Sequence, residues 1–252
     1  MSAQTPPTHA PRPAKRESTV YERYLRTDEL LALQKPAEER LHPDELTFQV
    51  VHQTFELWWK QTVQQMRAAA DALAGDEAPE AARALRRAVE AQAVVTAALR
   101  QLEFVSPATF LVIRRGLEDG SGGDSPGFRA ILRAAPDLWD AFAAAVERAG
   151  TTLVGLYADP HAHPALYDCA EALTDFDEAF HLFRAMHLKL AQRNLGLQAT
   201  GTGGTPMAAL ERTLGDLLFP DLWQARDQLL EKVQRESGIT YPVIPRSGHG
   251  GS

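Results

Sequence analysis

Between residues 21 and 195 apolar side chains recur three and four positions apart almost without interruption, in segments dominated by Ala, Leu, Arg and Glu. No alternation of β-branched residues persists long enough to make a sheet, so the expected fold class is all-α, a single-domain helical bundle. Residues 1–18, rich in Pro and Thr, and residues 239–252, ending in a Gly/Ser-rich run, bury too little apolar surface to offset the entropy of ordering. They are expected to be disordered tails flanking one domain over 19–238.

Within that domain the period predicts helices over 21–33, 43–73 and 79–104, then a short one opened by Ser106 and Pro107 as N-cap and first residue, stopping near Gly116. A loop over 119–127 follows. Helices over 128–156 and 165–195 complete the expected core, the second closed by Gly196.

Composition removes several function classes. A formal charge of −7 argues against nucleic acid as a partner, which needs a concentrated positive face. No apolar run approaches the roughly 20 residues that span a bilayer, and no leader-like stretch opens the chain, so no membrane partner and a cytoplasmic location are expected. The one cysteine, Cys169, excludes an internal disulfide and a Cys-rich metal cage, leaving histidines and carboxylates as ligands.

Two helical stripes carry histidine. Phe176, Phe180, Phe183, His187, Leu190 and Asn194 alternate steps of four and three, and Phe48, Val51, His52, Phe55 and Trp59 share another face. A lone histidine in such a stripe is more often a hydrogen-bonded core residue than a ligand. Two of them on separate apolar helices suggest one shared polar object, such as an iron porphyrin. A Glu-x-x-His run at Glu178 and His181 has di-iron spacing but no second copy, and Asp177 with His181 reads as a solvated ion pair.

Phe110 and Arg114, one turn apart, pair a ring with a guanidinium, an arrangement suited to an amino acid but also found where a surface arginine flanks a core ring. The run Gly201, Thr202, Gly203 and Gly204 lacks the lysine and strand of a phosphate loop and suits a closing loop over a small molecule better.

Taken in order, these segments resemble the tryptophan 2,3-dioxygenase family. His52-Gln53-Thr54-Phe55-Glu56-Leu57-Trp58-Trp59-Lys60 reproduces that family's His-Gln-Thr-x-Glu-Leu-Trp-x-Lys signature, and Tyr21-Glu22-Arg23-Tyr24-Leu25 is similar to its N-terminal segment. His187-Leu188-Lys189 with Arg193 and Gly196, the glycine-threonine loop, and Phe219-Pro220-Asp221-Leu222-Trp223 match further stretches. The resemblance implies haem b, ferrous when active, held by His187 at the centre of the bundle, with His52 as the catalytic distal residue near the indole nitrogen. It further implies that Phe48 and Phe110 line an indole pocket, that Arg114 binds the substrate carboxylate, and that Ser121, Gly122 and Thr202 touch substrate. Tyr21, Tyr24 and Leu25 would complete a neighbouring subunit's site in a homo-oligomer, a tetramer by resemblance.

The implied reaction uses O2 to oxidise the indole 2,3-bond of L-tryptophan or a tryptophan derivative to an N-formylkynurenine-type product. Insertion of one oxygen atom, or a haem-based gas sensor without catalysis, are the alternatives. One departure bears on substrate identity. Where the family usually reads Ser-Gly-Phe-Gln-Ser, this chain has Ser121-Gly122-Gly123-Asp124-Ser125, and its middle helices look trimmed.

Overall fold

The structure is a computed structural model that describes residues 17–118, 120–201 and 211–239. Most of both expected tails, together with Thr202 and the rest of its loop through residue 210, lie outside these residues. The described chain falls into two units, one ending at Arg40 and the other beginning at Leu41.

In the first unit the single helix expected over 21–33 is two short ones, α1 (Val20–Leu25) and α2 (Thr27–Leu30). Arg26 separates them with φ of 54°, a left-handed conformation that ends a helix and that no periodicity signals. Thr19 and Glu22 cap α1 reciprocally, each side chain accepting the other's backbone N–H. Neither helix buries a residue.

The second unit contains α3 (Glu45–Ala74), α4 (Ala78–Leu99), α5 (Pro107–Arg114), α6 (Pro126–Arg148), α7 (Leu153–Ala158), α8 (Pro164–Leu195) and α9 (Pro220–Ser237). Helices α5, α6, α8 and α9 each begin on proline, whose fixed φ and missing N–H suit the first turn. The regular elements among the described residues are all helical, as the period requires. The expected 79–104 helix tightens into a 3-10 turn from Arg100 to Phe104. The helix expected over 128–156 begins earlier and is broken: Gly150, at φ of 68°, ends α6, and Thr152 caps α7 by accepting the Gly155 N–H.

Helix α3 packs along both α4 and α6, and α4 packs in turn along α8. Close approach on the two sides of α4 follows from its buried residues, which include Ala81, Ala82, Ala84, Ala88 and Ala91. Helices α3 and α8 therefore face one another diagonally and meet through rings: Phe183 stands edge-on to Phe55 at 5.5 Å and to Trp59 at 5.4 Å. Trp59 is further fixed by donating from its indole N–H to Gln92 of α4 at 3.1 Å.

Helix α9 was not expected, since the core seemed complete at residue 195. It buries Leu222 and Ala225 behind a fully buried Phe219. Its anchor corrects another expectation. Asp177 is not solvated but buried, and its carboxylate accepts the N–H groups of Leu218 (2.9 Å) and Phe219 (3.3 Å) and the indole N–H of Trp223 (3.0 Å). Three donors satisfy a group that would otherwise be strongly unfavourable in the core. His181, its expected ion-pair partner, instead has a buried Nδ1 without a hydrogen bond among the described residues.

Candidate functional site

Helix α3 supplies one wall of the site. Its period brings Val51, Phe55 and Trp59 into the core and leaves Phe48 and His52 half-buried on the same face. The His52 ring stacks obliquely on Phe48 at 4.1 Å, and Phe48 in turn lies 6.3 Å from Phe110 of α5. His52 Nδ1 is 2.7 Å from the Phe48 carbonyl oxygen. A carbonyl only accepts, so Nδ1 carries the proton and Nε2 of the neutral ring offers its lone pair. Burial lowers the imidazole's pKa, outweighing the opposing effects of that bond and of nearby Glu56, and keeps the ring neutral.

Helix α8 supplies the opposite wall. Phe176, Phe180 and Phe183 are buried along it, and His187 stacks on Phe183 at 6.1 Å. Burial, with a smaller contribution from nearby His52, pushes the His187 imidazole down to about 4. Among the described residues His187 has no hydrogen-bond partner, which leaves a neutral imidazole with an uncommitted lone pair among aromatic rings.

The loop before α6 reaches this ring. A Cβ built on Gly122 would stand in ordinary contact with that ring, 3.6 Å from His187 Cε1 and 3.7 Å from Nε2, so the turn itself lies directly against the nitrogen. Ser121 donates its hydroxyl to Asp124 at 2.9 Å, and Asp124 also accepts the Ser121 N–H and a 2.6 Å contact from Arg129. Those hydrogen bonds pull Asp124 below the usual carboxylate range, with Arg129 adding to them.

Arg114 closes one end. Ser106 caps α5 as expected, accepting the Thr109 N–H at 3.1 Å, and Arg114 in the last turn donates to the Thr200 carbonyl at 2.9 Å. The structure thus gathers Phe48, His52 and Phe110, sets His187 against Gly122, and aims Arg114 at the residue before the glycine-threonine loop. Thr202 lies outside the described residues. Tyr21, Tyr24 and Leu25 belong to the first unit, where all three are exposed, Tyr24 by 85%.

Sequence reasoning gave Glu56 no role. Its carboxyl group accepts the Ser125 hydroxyl and, at 2.8 Å, the Gly127 N–H. Its place in the Glu-Leu-Trp motif was the available signal.

The donors present suit a metal that brings most of its own ligands. Among the described residues there is no group of three or more His, Cys, Asp or Glu able to hold a bare ion. A single neutral histidine facing rings is the donor set of a porphyrin iron. No helix of the described residues is long and apolar enough to cross a membrane.

The chain matches the family model described as tryptophan 2,3-dioxygenase over residues 5–134. It is 32% identical to the tryptophan 2,3-dioxygenase of Caulobacter vibrioides, with 84% of this chain covering 99% of that protein. It is 30% identical to that of Herpetosiphon aurantiacus at the same coverage, and 29% identical to that of Kineococcus radiotolerans, covering 83% of this chain and 91% of the relative. The match to the first runs over 264 aligned positions while taking in 84% of this 252-residue chain, so about a fifth of those positions have no counterpart here, in keeping with an internally shortened chain. With its signature on α3, a histidine in each of the aromatic stripes of α3 and α8, and these matches along most of its length, the chain belongs to the tryptophan 2,3-dioxygenase family.

Proposed function

We propose that the chain is a haem-dependent dioxygenase that oxidises the indole 2,3-bond of L-tryptophan with O2, giving an N-formylkynurenine-type product. The observation that carries this reading is His187: neutral, without a hydrogen bond among the described residues, lying against the Gly122 turn and near enough to His52 to be influenced by it. Haem held there supplies the dioxygen chemistry.

The remaining work is positioning. His52 Nε2 accepts the indole N–H while Phe48 and Phe110 pack against the ring and exclude water. Arg114 takes the substrate carboxylate through its planar fork, and Ser121, Gly122 and Thr202 complete the amino-acid end. Tyr21, Tyr24 and Leu25, exposed on a helix that buries nothing, are free to cover the site of a second copy in a homo-oligomer, a tetramer by the family resemblance. The relatives' shared name favours dioxygenation over single-oxygen insertion and over gas sensing.

Hemin titration followed by tryptophan turnover under labelled dioxygen tests this reading. A Soret band and two labelled atoms in the product are expected. Absence of the band, or a single labelled atom, overturns it.

A further inference from the structure

The turn that reaches His187 is braced twice. Its outer brace is exposed: Arg129 binds Asp124 and the Gly123 carbonyl, with little shielding from water. Its inner brace comes from the helix that carries the other histidine. Glu56 lies one turn beyond His52 on α3, and its two carboxyl oxygens take separate donors from the loop, the Ser125 hydroxyl and the Gly127 N–H. Ser125 is at the same time the N-cap of α6, accepting the Phe128 N–H at 3.0 Å. Glycine at 127 is required for this approach, because a Cβ there would stand 2.7 Å from Glu56 Oε2 and 2.9 Å from the Trp59 Cβ.

We propose that Glu56 is a positioning residue that sets where the 121–124 turn stands against His187, and so governs ligand access to that ring. The inference rests on the reading of His187 as the iron's axial ligand. Glu56 makes no hydrogen bond to either histidine's ring nitrogens; it acts through the Ser125 hydroxyl and the Gly127 backbone N–H, three and five residues from Gly122. Alanine at 56 frees the loop, whereas glutamine keeps the size of the side chain but retains only one acceptor oxygen for two donors. Helix α3, and His52 with it, stays in place in both variants because Val51, Phe55 and Trp59 anchor it.

The test compares Glu56→Ala, Glu56→Gln and His187→Ala in the full chain. Three quantities are read: hemin affinity from the Soret band, tryptophan KM against kcat in the loaded protein, and amide hydrogen exchange of residues 122–125 before loading. Glu56→Ala is expected to speed exchange of those amides at least ten-fold while the core amides of α4 stay protected. It should weaken hemin binding and raise KM by ten-fold or more, with kcat less affected, and Glu56→Gln should fall between it and the parent. A purely structural brace would lower the melting temperature and leave KM, hemin affinity and local exchange at parental values. That result overturns the proposal, and Glu56→Gln keeps it decidable if the alanine variant fails to fold. If His187→Ala retains hemin, the ligand assignment is what fails, and exchange of residues 122–125 still decides for or against Glu56 as the loop's brace.

Discussion

Arg114 donates from its guanidinium to the backbone carbonyl of Thr200, 2.9 Å away and 86 residues further along the chain. That contact uses one edge of the fork and fixes the orientation of the rest. An ammonium at the same position has no planar second edge with which to bind a carboxylate. Charge-assisted hydrogen bonds contribute on the order of 1.5–3 kcal/mol, so Arg114→Lys should weaken tryptophan binding by about ten-fold or more. Haem content should not change, and indole analogues without a carboxylate should bind the variant as they bind the parent. Unaltered tryptophan affinity would show that the carboxylate binds elsewhere.

The two histidines should separate cleanly. His187→Ala is expected to purify without a Soret band and His52→Ala with one, because only the first removes a bond to iron. The His52 variant should instead lose affinity for tryptophan relative to analogues methylated at the indole nitrogen, which have no N–H to donate. Equal haem content in the two proteins would reverse the assignment.

Acid should act through His187 in a defined window. Its folded pKa of about 4 lies below the ordinary 6.5, so the unfolded chain takes up the proton first. The unloaded protein should lose stability as pH falls from 6.5 toward 4, by at most about 3 kcal/mol from this group, with nothing further lost below 4. Hemin affinity should hold through pH 5 and fall near 4, where the ligand nitrogen protonates. Urea unfolding at several pH values, compared with His187→Phe, isolates the contribution; identical pH slopes in the two proteins would refute it.

Gly127 and Gly123 provide a paired comparison. Alanine at 127 would place its methyl 2.7 Å from Glu56 Oε2 and 2.9 Å from Trp59, so Gly127→Ala should destabilise by about 1–3 kcal/mol, the range for overpacking. At 123 the nearest atom, the Ser121 hydroxyl oxygen, would be 3.6 Å away, and Gly123→Ala should stay within about 0.5 kcal/mol. Denaturant midpoints of the two variants test the difference.

What could be read from the sequence was whatever repeats with the helix. The stripes through His52 and His187 place both rings on inward faces because burial follows a 3.6-residue period, and Ser106 with Pro107 marks a helix start through local chemistry alone. Asp177 was misread for the opposite reason. A carboxylate on a helix reads as solvated unless its partners are known, and they lie 41 to 46 residues away, just before and at the start of a helix the periodicity did not announce. Glu56 was silent in the same way, its acceptors' donors lying 69 and 71 residues on. Arg26 broke a predicted helix through a left-handed backbone that its side chain does not encode.

The alanines of α4 act as a shim. Because α4 packs against both α3 and α8, the methyl groups of Ala81, Ala84 and Ala88 help fix how far apart the two histidine-bearing helices stand, although none of them belongs to the site described. The separation of the helices that carry His52 and His187 is therefore a dimension of the scaffold, machined at a distance. Thickening the shim by a single methylene would retune the fit while leaving every residue of the pocket unaltered.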